Sequence, residues 1–161
     1  MTHLAVQNDI TTLLPTEGVK NFRHSVMVLQ REHEQLPQVE CPLVHYFANG
    51  ACVREATIPA DTIVIGKIHR HETINILLKG EITVVTEHGT MRLKAPCTFV
   101  SPPNTKKAAY THSEVIWSNV FATVCTDIKE IERQMVYDDY EDTAFLDHVT
   151  ETLRLEDLCH S

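Results

Sequence analysis

From Cys41 onward the chain is a series of short runs rich in β-branched and aromatic residues, broken at regular intervals by turn residues. CPLVHYFA leads to Asn49-Gly50, a strong hairpin signal, and ACVREATI is the return strand. After the turn at Pro59-Ala60-Asp61 comes TIVIGKIHRH, then TINILLKG and EITVVTE, with a turn at Glu87-His88-Gly89-Thr90. MRLKAP and CTFVSPP are separated by Pro96, and AAYTHSEVIWSNVFATV breaks near His112-Ser113-Glu114. Many short strands about ten residues apart predict a sandwich or barrel.

The flanks follow a helical period instead. Residues 1–15 read as an arm. Pro15-Thr16-Glu17 reads as a helix start with Thr16 as N-cap, and Val19, Phe22, Val26 and Leu29 then fall on one side. This predicts a helix over about 17–34, ended before Pro37, whose stripe packs on the strands or on a second subunit. His24 and His33 are expected on its solvated or interfacial surface. Downstream, Thr126-Asp127-Ile128-Lys129-Glu130 resembles a capping box, with Ile128, Ile131 and Met135 as the stripe of a further helix. VYDDYEDT then reads as an acidic break, either a solvated connection or a partner-binding segment. A last helix over about 143–158 carries Leu146, Val149 and Leu153 on one face. The expected organisation is an N-terminal arm and helix (1–38), a β domain (39–125) and a C-terminal helical extension (126–161).

Bulk properties narrow the partners. A chain of 161 residues fits one domain with a real core. The net charge of −8 argues against nucleic-acid or membrane-surface binding. Five cysteines without a C-x2-C pair read as reduced packing thiols rather than a disulfide framework. The N-terminus has no signal-peptide pattern, and no run reaches the length of a membrane span.

Among the ten histidines, His69 and His71 stand two apart at a strand end. Alternation would put both imidazoles on one face, within reach of one metal ion. The stretch GKIHRHETINILLKG, ending at Gly80, resembles the first motif of the cupins, small double-stranded β-helix proteins. By that resemblance Thr73 occupies the glutamate position. The stretch from Pro96 through Pro102-Pro103-Asn104-Thr105-Lys106-Lys107 resembles the second motif, with Asn104 for a glycine and Lys107 for the histidine ligand. Two of the four usual metal-ligand positions, His69 and His71, are therefore kept. The strings CPLVHYFANGACVRE, IPADTIVIGKIHRHETINILLKGEITVVTEHG and APCTFVSPPNTKKAAYTHSEVIWSNV, with TDIKEIE after them, are also similar to small cupin-like proteins of tailed bacteriophages. The resemblance implies an all-β cupin-type jelly-roll barrel with an N-terminal helix and a C-terminal helical tail. It also implies a homo-oligomer.

The candidate chemistry follows from these positions. His69 and His71 would hold a divalent metal such as Fe, Mn, Zn or Ni, or would be hydrogen-bonded imidazoles in a cup without metal. Glu72 would face the other way if the strand persists, so a third ligand is open among Glu81, Glu114, His45 and His112. Lys106 and Lys107 are surface loop lysines, or one of them points inward, where it would repel a cation and hold a carboxylate or phosphate. Arg54 shares a face with Cys52 and Ala56; if that face is internal, Arg54 needs an acid or a ligand anion, and a one-residue slip would turn Glu55 inward instead. Thr73 and Asn75 share the inward phase and would offer polar contacts to a bound small molecule. Trp117 and Tyr110 are expected in the core or at a subunit interface. Ile74, Ile76 and Leu78 alternate with the inward set and need a cover.

Two functions remain in view. The first is a non-enzymatic phage accessory or virion-associated protein without cofactor. It would act through oligomerisation and contacts with phage structural proteins, with a small anionic ligand in the barrel, in the host cytoplasm or the virion. The second is a small metal-dependent dioxygenase, isomerase or lyase using His69 and His71.

Overall fold

The computed structural model describes residues 2–5 and 18–159. Its strands are β1 (Thr2–Ala5), β2 (Leu43–Ala48), β3 (Ala51–Ile58), β4 (Thr62–Ile65), β5 (Ile68–His69), β6 (Thr73–Lys79) and β7 (Glu81–Thr86). They continue with β8 (Gly89–Lys94), β9 (Cys97–Ser101), β10 (Ala108–Thr111), β11 (Val115–Ala122) and β12 (Val136–Tyr137). The helices are α1 (Gly18–Glu34), α2 (Ile128–Met135) and α3 (Thr143–Cys159).

Two antiparallel sheets face each other, in the orders β1-β4-β10-β7-β8 and β2-β3-β11-β6-β9. The pairings nest: β3 with β11, β4 with β10, β6 with β9 and β7 with β8. A long hairpin rolled up on itself produces this order, which is the jelly roll. The protein thus has the cupin-type double-stranded β-helix fold, as two opposed sheets rather than a closed barrel.

Strand alternation positions everything that follows. In β6, Thr73, Asn75 and Leu77 are buried while Ile74 and Leu78 face out. In β3, Cys52, Ala56 and Ile58 are buried, and Arg54 shares their phase. The inter-sheet core includes Ala56, Val64, Leu77, Ile82, Val84 and Val115. A second core lies where α1 and α3 cover the outer side of the β4 sheet, joining Phe22, Val26, Ile63, Ile65, Val85 and Phe145. Burying aliphatic and aromatic side chains of this size stabilises by about 1.5–3 kcal/mol each, so the N-terminal helix packs on the sheet through the expected Phe22, Val26 and Leu29 face. Arg23 ties the same layer together. Its Nε lies 2.9 Å from Glu87 Oε2 and its guanidinium sits 4.7 Å from the Tyr140 ring centroid.

Several expectations change. Thr16 and its capping role lie outside the described residues. Part of the arm is a strand, since β1 pairs with β4. His33 is buried rather than on the surface, and burial lowers its pKa. The run TIVIGKIHRH is two strands, interrupted at Gly66-Lys67, where the chain turns from the β4 sheet to the small β5–β12 pair. The acidic break begins as strand β12: Val136, Tyr137 and Tyr140 are buried, while Asp138, Glu141 and Thr143 are exposed. The cap of α2 is Asp127, whose carboxylate accepts from the Glu130 N–H at 3.0 Å. In α3 Phe145 and the expected Val149 pack inward, while Leu146 is exposed; the Leu153 side chain lies outside the described residues. Among the described residues no helix is long and apolar enough to cross a membrane.

Candidate functional site

Gly66-Lys67 interrupts β4, and the short β5 then runs under loop 102–107. That loop is held by backbone bonds: Asn104 N–H to the His69 carbonyl (2.7 Å), Gly66 N–H to the Lys107 carbonyl (2.9 Å), and a weaker one from His69 N–H to the Thr105 carbonyl (3.4 Å). Asn104 sits at φ +60°, a left-handed conformation that asparagine tolerates better than most residues. It can therefore stand where the cupin motif has glycine. The loop delivers Lys107 to one wall of a cavity of about 80 Å3 between the sheets. Arg54 and Asn75 line it from the opposite sheet, and His69 and Lys67 from the crossing segment. Val64, Ile82 and Trp117 supply apolar walls.

The inner face of the β3 sheet carries a polar row. Cross-strand registers place Arg54 beside Asn119, and Asn119 beside Asn75. Asn119 Nδ2 donates to Asn75 Oδ1 at 3.0 Å. Asn75 Nδ2 donates to the Thr73 carbonyl at 2.8 Å and Ser101 Oγ at 3.1 Å. Asn75 is thus engaged on both ends, and the row is rigid. Arg54 is not engaged in the same way: its Nε is buried without a hydrogen-bond partner. Burial lowers its pKa, with Glu132 on α2 opposing that effect from beyond ion-pair distance.

His69 is buried and its ring meets Phe121 edge-on at 5.8 Å. Nδ1 lies 2.9 Å from Thr73 Oγ1, and that hydroxyl donates to the His71 carbonyl at 3.0 Å. Because the threonine has a single proton to give, the shared bond takes its hydrogen from Nδ1. Nε2 keeps its lone pair. Burial, then Lys107 and Arg54, push the His69 pKa down to about 3. Lys107 is sheltered from bulk solvent yet open to the cavity, and burial lowers its pKa to about 8. Among the described residues its ammonium has no hydrogen-bond or ion-pair partner.

The expected pairing of His69 with His71 is not what the structure shows. The strand stops at His69, the next residues bend, and the His71 side chain is exposed. The two imidazoles therefore do not converge. Thr73 acts through His69 and does not line the cavity, while Arg54, Asn75 and Lys107 do. Of the open third-ligand candidates, Glu81 pairs with Arg92, Glu114 with Lys79, and His112 Nε2 bonds Thr83 Oγ1 at 2.7 Å. Glu72 is exposed. Among the described residues no group of three or more His, Cys, Asp or Glu converges on a metal position. The residues here do not fit the cupin metal: one imidazole faces two cationic side chains.

Lys106 turns the other way. It is fully buried and donates to the Gly66 carbonyl at 2.9 Å and the Asp138 carbonyl at 3.3 Å, beside a larger cleft of about 270 Å3. Lys67 closes that cleft by pairing with Asp138 at 2.8 Å. Charge there is internally compensated; in the inter-sheet cavity it is not. Asn119, Trp117 and Lys67 were not singled out from sequence as cavity residues. For Asn119 the signal exists: it is the polar member of the inward set Val115, Trp117, Asn119, Phe121.

No protein-family profile matches the chain, and no curated protein matches it. Among solved structures it is similar to a cupin-superfamily protein of Desulfitobacterium hafniense, at 9% identity and TM-score 0.46, covering 56% of this chain and 84% of that one. It is similar to a cupin domain of Bordetella pertussis at 13% identity and TM-score 0.43, covering 55% and 98%. A salicylate 1,2-dioxygenase of Pseudoaminobacter salicylatoxidans gives 15% identity and TM-score 0.46, covering 61% of this chain and 29% of the enzyme. Strand order, rather than these likenesses, defines the jelly roll.

Proposed function

We propose that the protein is a metal-independent ligand cup: the inter-sheet cavity holds a small organic anion between Arg54 and Lys107. The observation that carries this is two cationic side chains, one from each sheet, lining one apolar cavity without an acid at ion-pair distance. A buried unpaired charge is costly, and an anionic ligand offsets that cost. A carboxylate suits the fork of Arg54, and the apolar walls suit a short hydrocarbon body.

Isothermal titration with propionate, butyrate and inorganic phosphate tests the reading. Saturable carboxylate binding is expected, weakened tenfold or more in Arg54→Gln and unchanged by a chelator. Equal affinity in Arg54→Gln and wild type would overturn it. So would near-stoichiometric metal in protein purified without chelator, if that metal disappears in His69→Ala.

The wider role we assign is that of a phage accessory or virion-associated protein, which rests on the resemblance of the strings within roughly residues 40–135 to cupin-like phage proteins. It would work as a homo-oligomer and through contacts with other phage proteins, in the host cytoplasm or the particle. The outer face of the β3 sheet supports self-association. Tyr46, Val53, Val120, Ile74 and Val100 are cross-strand neighbours and form one apolar row over all five strands. Tyr46, Ile74 and Val100 are 53%, 43% and 58% exposed. On the adjacent row the one charged residue, Glu55, bonds Ser118 at 3.2 Å.

A further inference from the structure

The geometry points to Lys107 as a covalent ligand: its amine forms a Schiff base with the carbonyl of a short-chain oxo acid whose carboxylate Arg54 holds. This rests on the anion-cup reading and adds the ligand class to it.

Three features of the cavity converge on that class. The first is size. A water needs about 10–15 Å3 of such space, so the cavity of about 80 Å3 takes roughly five to eight non-hydrogen atoms. This admits a carboxylate with a short oxo chain and excludes nucleotides and sugars phosphates of larger size. The second is the placement of the two nitrogen groups. Arg54 stands on β3 and Lys107 leads into β10, in opposite sheets. A ligand spanning the cavity meets the guanidinium at one end and the amine at the other. The third is that nothing competes for the amine. Lys106, its neighbour in sequence, is tied to two carbonyls, whereas Lys107 has no such partner among the described residues.

A lysine is nucleophilic only when neutral, and an apolar, acid-free pocket favours the neutral form. Arg54, His69 and Lys67 are the charged or titratable groups that share the cavity wall with Lys107, and none is an acid. The depressed Lys107 pKa of about 8 agrees with this environment. His69 is neutral above acid pH and has a free Nε2 lone pair. It is the group placed to relay the proton in the addition.

The step balances without a further reactant. The neutral Lys107 Nζ adds its electron pair to the carbonyl carbon while the carbonyl π electrons move to oxygen. Proton transfer from nitrogen to oxygen gives the carbinolamine. The carbinolamine takes up the proton that the ammonium had released to become nucleophilic, loses its hydroxyl with that proton as water, and leaves the protonated imine. The net change from the ammonium form is release of one water, with the single positive charge retained opposite the ligand carboxylate.

The test is reductive trapping of the full chain with pyruvate and sodium cyanoborohydride, followed by intact mass and peptide mapping, with calorimetric pyruvate binding in parallel. The expected adduct adds the mass of the acid less one oxygen atom, and maps to Lys107 at least tenfold ahead of exposed Lys79 and Lys94. It disappears in Lys107→Arg, and its rate in wild-type protein rises through about pH 8. Pyruvate binding without a Lys107-selective adduct would overturn the covalent step and leave the anion cup standing. Neither binding nor trapping, while propionate still binds, would overturn the oxo-acid assignment alone. Failure of every carboxylate to bind would overturn both. The pH profile of wild-type trapping decides the matter even if Lys107→Arg does not fold.

Discussion

His69 shows how far one side chain departs from its ordinary chemistry once two sheets close over it. Its folded pKa is pushed to about 3 from an ordinary 6.5, chiefly by burial. Above pH 6.5 both folded and unfolded states hold it neutral, so its contribution there is constant. As pH falls below that value the unfolded chain takes up a proton that the folded chain refuses. Stability is therefore lost as pH falls from about 6.5 to about 3, by up to about 1.4 kcal/mol per pH unit from this group. Urea unfolding at pH 7, 6, 5 and 4 should show the midpoint falling faster in wild type than in His69→Gln. Parallel profiles would show that His69 is not held neutral. Lys107 acts in the opposite range: its pKa is lowered to about 8, so stability rises as pH climbs from there toward the ordinary lysine value. The same scale decides the anion titration, because Arg54→Gln removes the fork and leaves the cavity walls in place.

At the scale of elements, the site depends on where strands stop. Gly80 joins β6 to β7 at φ +86°, and a Cβ there would overlap the Glu114 carbonyl oxygen and crowd Ser113 Oγ. The turn is packed against the β10–β11 connection, with Glu81 N–H donating to Ser113 Oγ at 3.0 Å. Gly80→Ala combines a strained backbone with a steric overlap against main chain, so it should cost about 2 kcal/mol or more. A denaturant midpoint unchanged in that variant would contradict the packing described. Alternation along β6 was legible in the sequence, and with it the inward phase of Asn75; along β3 the sequence left Arg54 or Glu55 inward, and the register with β11 places Arg54 inside. The end of β5 was not legible. His-x-His reads as one face only if the strand continues, and here pairing with β12 covers just Ile68 and His69. The partner strand lies some 67 residues later along the chain, as the register Val136–His69 shows. No local pattern announces it.

At the scale of the molecule, the outer face of the β3 sheet is the surface we propose for contact with other copies. Its apolar row is centred on Val120 and runs from Tyr46 to Val100, so two copies can meet face to face with the same residues on both sides. Sedimentation of wild-type protein should give a dimer or larger species. Val100→Asp, which places a charge on that face and leaves the core untouched, should shift it toward monomer with unchanged circular dichroism. A wild-type monomer at high concentration would remove this face as the interface. The Lys107 trapping experiment belongs to this scale too, because the amine and the guanidinium meet only when both sheets are in place.

The sequence by itself determined that a series of short strands is flanked by helices, because that rests on short-range periodicity and turn chemistry, and its cupin resemblance implied the jelly roll that the strand order shows. It also named Arg54, Asn75 and Lys107 as candidates, and the structure puts all three on the cavity wall. Tertiary structure alone decided that His69 faces inward and His71 outward, that Lys106 and Lys107 diverge, and that Asn119 joins the polar row. Those outcomes depend on strand ends and cross-strand registers between residues distant in sequence. The same long-range packing strips water from Arg54 and Lys107 without supplying an acid, and that imbalance of charge gives the cavity its chemistry.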